Sequence, residues 1–418
     1  MIREMFNRQL AAIAIAAALL GGCGIDNTGA NTVGTNLLEV SSQPIIDIDA
    51  DTMRAVLGDK VGPTDPVFGI KSYRVVYRTH DDFGNEVNAS GLLSVPVPTA
   101  AFLQARPDYT MSIVSDQHGT IFSDEEAPTT AALATHQPDP IATAFTVMAG
   151  FVTLQPDYIG FGASRGFHPF LQEKSLANSV VDMITASIKF ANQAQLPING
   201  QIFLCGYSEG GVATLDAAKA IEASHPELHL KGVAPMEGPY DMNLTFSGVF
   251  ASLLDQNSSN DQFPYPVNAF GGDIVYAFGK TYGIDLETMV QPPLPTLFPT
   301  LYNGEHTDAD FAAQLPDDKN DFFQRAFVID FMTNPDNVLK KAVIENSPID
   351  WQPTTPTRLY HCKGDPVVPI QIAQVSAARM GVDVIQVDSD AQLLGHRECA
   401  VPAYTLVVGW FDALRSGN

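Results

Sequence analysis

Positive charge is scarce in this chain. Its 23 Lys and Arg stand against 47 Asp and Glu, for a net charge of −24. Phosphate binding needs a basic face, so this balance argues against a nucleic-acid partner and reads as a solvated, acidic surface. Cysteine is scarce too, with four residues: Cys23, Cys205, Cys362 and Cys399. No internal repeat is visible, and no hydrophobic span follows the first apolar stretch. What is abundant is core material. With 418 residues and 45% hydrophobic side chains, the length allows one large domain with an insertion, or two to three small ones.

The N-terminus reads as an export signal. Arg3 and Arg8 precede "AAIAIAAALL", which is too short to span a bilayer, and Leu20-Gly21-Gly22-Cys23 follows. This resembles a bacterial lipoprotein box. It implies removal of residues 1–22 and lipidation of Cys23, against the alternative of an ordinary cleaved signal with an incidental cysteine. Residues 23–40 are rich in Gly, Asn and Thr at their start and are expected to form a flexible tether. Gly24 in place of Asp implies, by the same resemblance, the outer membrane of the cell envelope, with the face left open.

From Ile70 onward, strand-like and helix-like segments alternate. "SYRVVYRTHDDFGNEVNASGLLSVPVP" predicts two strands around an Asp-Asp-Phe-Gly-Asn turn. "YTMSIVSDQHG", "FVTLQPDY", "IFLCGY", "LKGVAPM", "TRLYHC" and "VDVIQVDS" predict further strands. "PIATAFTVMAG", "SLANSVVDMITASIKFANQ", "IQIAQVSAARM" and "AYTLVVGWFDALR" predict helices. The expected class is α/β, with a mostly parallel central sheet and helices on both faces. Residues 241–352 break the rhythm with many Phe, Tyr and Pro. They are expected to form a largely helical cap between two core strands, dividing the core into residues 41–240 and 353–418.

One stretch carries chemistry. Gly206-Tyr207-Ser208-Glu209-Gly210 joins an apolar strand to a helix-like run. A strand that turns directly into a helix strains the joining residue, and glycines are needed where side chains would collide. The Ser208 hydroxyl is thereby exposed at a helix N-terminus. Such a serine needs a base and a third group to hold it, in the chain order Ser, acid, His. Asp365 lies in a Lys-Gly-Asp-Pro turn after one strand, and His396 follows the next. Both fall at strand carboxyl ends, where open α/β sheets build their sites. Asp383, Asp388, Asp390 and His361 are rivals. The turn His118-Gly119-Thr120 and the residue after the nucleophile predict an oxyanion hole from the Thr120 and Glu209 amides.

Over residues 70–415, "GYSEGG", "GDPVVP", "GHREC" and the "HGT" turn resemble the α/β-hydrolase superfamily. "PDYIGFGASRGFHPFL" is similar to a motif of its secretory lipase and carboxylesterase branch. The resemblance implies a Ser208–His396–Asp365 triad, hydrolysis of small-molecule or lipid carboxylic esters, and no cofactor or catalytic metal. No His-Gly-Gly-Gly run is present, which sets the chain apart from the hormone-sensitive-lipase type. His118, Asp157, Tyr158 and Tyr207 are candidate pocket residues, and Phe250 and Phe278 are expected to line an acyl pocket under the cap. Two alternatives stay open: a serine peptidase or amidase on the same fold, and a surface-anchored binding protein without activity. Oligomeric state is not legible.

The remaining cysteines give one more expectation. Cys362 lies three residues before Asp365, and Cys399 three after His396. If the acid and histidine loops touch, the two cysteines are neighbours, and an oxidising compartment favours a disulfide. The alternatives are a metal site built from His361, Cys362, His396 and Cys399, or two unpaired thiols.

Overall fold

The computed structural model describes residues 36–254 and 265–417. The expected signal segment, Cys23, Gly24 and the start of the tether lie outside them. Ten strands form one sheet: β1 Leu37–Val40, β2 Ile46–Ile48, β3 Gly69–His80, β4 Glu86–Val97, β5 Met111–Gln117, β6 Val152–Pro156, β7 Ile198–Tyr207, β8 His229–Met236, β9 Arg358–His361 and β10 Asp383–Gln386. Their order is β1-β3-β4-β6-β5-β7-β8-β9-β10, with β2 also paired to β3. The pairs from β1 to β6 are antiparallel. From β6 through β10 every pair is parallel.

The two halves differ in sequence for a physical reason. β3 and β4 are joined by a tight turn in which Asp81 Oδ1 accepts the Phe83 and Asn85 amides at 2.9 and 2.8 Å, and Gly84 adopts φ 78°. The parallel strands are covered on both faces and read as near-continuous apolar runs. Ile113 and Leu204 point to one face, where they join Val180, Met183 and Ile184 of the helix Glu173–Gln193 and Ala213 and Ala217 of the helix Glu209–Ser224. Val114, Phe203 and Cys205 point to the other, against Ala403, Val407 and Phe411 of the helix Ala400–Ser416.

Two expectations need correction. Leu37–Val40, assigned to the tether, forms an edge strand whose backbone pairs with β3. "PIATAFTVMAG" forms a single turn, Pro140–Ala142, and then a π-helical segment, Thr143–Met148. Its β-branched threonines suit a regular helix poorly, and Thr146 instead shares a hydrogen bond with Thr153 of β6 at 2.7 Å.

Among the described residues between β8 and β9 the chain is largely helical. The longer helices are Met242–Leu254, Val267–Tyr282, Leu294–Leu301, Arg325–Thr333 and Val338–Glu345. Their aromatic side chains form a core, with the Phe250 ring 5.0–6.0 Å from those of Phe246, Phe323, Phe327 and Phe331. This cap is tied to the sheet domain at several points. The Asp124 amide donates to the Gly304 carbonyl at 2.8 Å, the Glu173 amide to Asn346 at 2.9 Å, and Arg379 pairs with Asp241 at 3.1 Å. Among the described residues no helix is long and apolar enough to cross a membrane.

Candidate active site

Ser208 stands between β7 and the helix Glu209–Ser224, with φ 59° and ψ −118°. A non-glycine residue enters that region only when its surroundings hold it there. The Ser208 amide donates to the Met236 carbonyl of β8 at 2.9 Å, which pins the turn. The flanking glycines are required by contact. A Cβ on Gly206 would sit 2.3 Å from the Gly210 carbonyl oxygen, and one on Gly210 only 1.9 Å from that of Gln117.

β9 and β10 bring the other two groups to the same edge. His396 Nε2 lies 3.0 Å from Ser208 Oγ, and His396 Nδ1 lies 2.6 Å from Asp365 Oδ2. Asp365 Oδ1 accepts the Val367 and Val368 amides at 2.7 and 3.0 Å. Burial alone would raise the Asp365 carboxyl, but the hydrogen bonds from His396 and the neighbouring Glu237 outweigh it and hold it down to about 2. The Tyr207 hydroxyl donates to the His396 carbonyl, so the residue before Ser208 also anchors the His396 loop.

The rivals sort themselves by their partners. Asp388 accepts the amides of Lys363, Gly364 and Leu394 at 2.7–3.1 Å and so organises the loop around Asp365. Asp390 pairs with the exposed Lys363 at 2.6 Å, and Asp383 opens β10 on its exposed side. His361 is fully buried, with Nε2 2.7 Å from the Val368 carbonyl.

The turn at His118 packs on the elbow. A Cβ on Gly119 would lie 3.0 Å from the Tyr207 carbonyl oxygen, a tight contact that glycine avoids. Neither the Thr120 nor the Glu209 amide has a hydrogen-bond acceptor among the described residues. Tyr158, at φ 67° and fully buried, donates to the His118 carbonyl at 3.1 Å, and the two rings are 4.1 Å apart. Tyr158 and His118 therefore pack together and brace this turn.

Three of the expected pocket residues are placed elsewhere. Asp157 faces inward and accepts Ser90 Oγ, the Thr129 amide and Thr129 Oγ1 at 2.5–2.9 Å, tying three segments together behind the site. Phe250 and Phe278 are fully buried. Phe250 packs among cap phenylalanines, and Phe278 stacks on Tyr282 at 5.8 Å, so both are packing positions rather than an acyl lining. The aromatic richness of the cap has gone into its own core.

Two features escaped the sequence reading. His168 Nε2 lies 2.7 Å from Glu209 Oε1 and His168 Nδ1 2.7 Å from the Ile159 carbonyl, all deep in the interior. Burial would depress His168, but the Glu209 carboxylate outweighs it and raises the imidazole. This pair fixes the side chain of the residue directly after Ser208. It also explains why a glutamate follows Ser208: the elbow carries its own counter-ion. The second feature is Glu237, an acid directly after β8 whose side chain lies among Cys362, His361, Asp365 and His396. A carboxyl at the end of a parallel strand is itself a signal. In "VAPMEGPY" no motif draws attention to it.

Cys362 and Cys399 form a disulfide with their Cα atoms 6.1 Å apart. Their sulfurs are bonded to each other, so they are not thiolate ligands for a metal. Cys205 is a free, buried thiol on β7.

Residues 126–251 match the Secretory lipase family. A Legionella pneumophila protein described as a hydrolase superposes with TM-score 0.77 at 27% identity, covering 91% of this chain and 98% of that one. The rice cell wall degrading esterase LipA from Xanthomonas oryzae gives 0.74 at 24% identity, covering 91% and 97%. Candida antarctica lipase A in its closed state gives 0.61 at 15%, covering 91% and 82%. No curated protein matches the chain. The fold is that of the α/β hydrolases, and the family match with these neighbours supports a carboxylic-ester hydrolase.

Proposed function

We propose that the chain hydrolyses carboxylic esters by an acyl-enzyme mechanism on Ser208. His396 takes the hydroxyl proton as Ser208 Oγ attacks the ester carbonyl. Asp365 fixes the imidazole tautomer and stabilises the imidazolium that forms. The Thr120 and Glu209 amides hold the oxyanion of the tetrahedral intermediate. His396 then protonates the departing alcohol, and water repeats the sequence on the acyl-enzyme. The observation that carries this reading is the continuous chain Ser208 Oγ, His396 Nε2, His396 Nδ1, Asp365 Oδ2, at 3.0 and 2.6 Å. A p-nitrophenyl ester panel from acetyl to long acyl chains, run beside aminoacyl amides with Ser208→Ala as control, tests it. Turnover of esters, absent in the variant, is the expected result. Amide turnover without ester turnover makes the chain a peptidase or amidase, and failure of a fluorophosphonate probe to label Ser208 makes it a binding protein.

We also propose export and anchoring through lipid on Cys23, supported by the Leu20-Gly21-Gly22-Cys23 sequence, with Gly24 favouring the outer membrane. Incorporation of a fatty-acid probe in a bacterial host, lost in Cys23→Ala, is the expected outcome. A soluble, unlabelled product overturns the anchor.

A further inference from the structure

Glu237 is the first residue after β8, the strand that lies between the nucleophile's strand and the acid's strand. Its backbone takes φ 53°, and its amide donates to the Tyr360 carbonyl of β9 at 3.0 Å. This strained step turns the side chain inward, where it is wholly buried. Oε1 accepts the Cys362 amide at 2.5 Å. Oε2 lies 3.1 Å from His361 Nε2 and 4.0 Å from His396 Nδ1. The His361 Nε2 proton is already committed to the Val368 carbonyl, and Oε2 is left without a hydrogen-bond donor among the described residues.

Asp365 Oδ2 shares those neighbours, at 2.6 Å from His396 Nδ1 and 3.9 Å from His361 Nε2. Two carboxyls in one buried spot do not both ionise. Asp365 has the stronger claim to the charge, with two amides on Oδ1 and an imidazole on Oδ2. The shared proton therefore belongs to Glu237, on the one oxygen that nothing donates to.

We propose that Glu237 is a positioning residue for the reaction: a neutral carboxylic acid whose Oε2–H donates to Asp365 Oδ2 and holds that carboxylate in line with His396. It rests on the Ser208–His396–Asp365 reading above. Burial first, then the hydrogen bond and charge of Asp365, push the Glu237 carboxyl far above its ordinary range, and Asp388 adds to this from the neighbouring loop. The other titratable groups facing it are His361 from β9, Tyr207 from β7, and Tyr240 from its own segment. The arrangement adds an uncharged hydrogen bond to the acid without adding a second negative charge that would compete for the imidazolium.

Glutamine reproduces the shape and hydrogen-bonding of a neutral glutamic acid, whereas alanine reproduces neither. Glu237→Ala is expected to lower kcat about 10–100-fold on a soluble short-chain ester, with KM little changed. Glu237→Gln is expected to recover most of that loss. A second readout needs no activity. The unfolded chain ionises Glu237 at about pH 4.3, while the folded protein keeps the proton, so this contribution to stability falls as pH rises above that value. Glu237→Gln carries no such proton. In thermal melts on the Ser208→Ala background, its Tm should gain on that of the Glu237 protein steadily between about pH 4 and pH 9. Because the melts use an inactive background, they report the protonation of Glu237 even if the ester reading fails. A folded Glu237→Gln as inactive as Glu237→Ala, or a Tm difference that is flat with pH, overturns the proposal. If Glu237→Ala does not fold, the glutamine variant's kcat and melts still decide.

Discussion

Ser208 is held at φ 59° by a hydrogen bond across to β8 and by two glycines that no side chain could replace. At this scale the chemistry is sharp and so are its tests. Ser208→Ala or His396→Ala should leave a folded protein with ester turnover reduced by about 10⁴-fold or more, and Asp365→Asn should lose a comparable amount because the imidazole tautomer is then wrong. Circular dichroism beside the kinetics separates loss of chemistry from loss of fold. Asp388→Asn should cost far less, since Asp388 accepts loop amides and does not touch His396. If Asp388→Asn is the more damaging of the two, the acid has been misassigned. The elbow, the acid turn and the histidine loop were legible in the sequence because steric necessity writes glycine and proline beside them. Glu237 was not, because what makes it unusual is burial between strands, which no local pattern encodes. Phe250 and Phe278 were misjudged for a related reason: apolar composition says that a side chain is buried, not against what.

Among the elements, the acid and histidine loops are joined twice, by the His396–Asp365 hydrogen bond and by the Cys362–Cys399 bridge. The bridge closes a loop of sequence separation 37. Chain entropy puts its contribution at about 3–4 kcal/mol, so Cys362→Ser with Cys399→Ser should shift denaturant midpoints downward by a corresponding amount. An unchanged midpoint would show that the non-covalent contacts already fix these loops. The cap offers a second test. Phe250 touches four other aromatic rings, so Phe250→Ala should cost about 3–5 kcal/mol and reduce turnover of acetyl and long-chain esters alike. Selective loss of long-chain activity would instead place Phe250 at the substrate. The alternating strands and helices were readable from periodicity. The individual cap helices were not, since their prolines and aromatics blur any period, and edge strands β1 and β2 are too short to show one.

For the molecule as a whole, the acidity extends into the interior. Asp116 on β5 is buried, and its Oδ1 accepts the Tyr404 hydroxyl at 2.7 Å. Burial raises its carboxyl to about 7, only partly offset by the hydrogen bonds it accepts. The sign follows directly. The unfolded chain loses this proton near pH 4 and the folded protein near pH 7, so the stability it contributes is full below about pH 4 and is lost as pH rises to about 7. Asp116→Asn keeps the acceptor for Tyr404 and removes the titration. Its Tm relative to the native protein should rise between about pH 4 and pH 7 and level off above. A difference that stays constant over that range would mean Asp116 is ionised in the folded protein. The net charge of −24, read from composition, gave no hint that a carboxyl such as Asp116 is buried and raised.

The bridge between the two loops also bears on when the site is fully assembled. Both sulfurs belong to fully buried residues, so once closed they are shielded from small reductants by the same packing that positions His396. Without the bridge, the histidine loop is held to the acid loop by non-covalent contacts, the His396–Asp365 hydrogen bond foremost. On the proposal that the chain is exported, the hydrolase is expected to be least able to attack esters in a reducing compartment. Chain purified and kept under reductant from synthesis onward should turn over esters slowly and gain activity on air oxidation, whereas reductant added to the folded, oxidised protein should change little until it is heated.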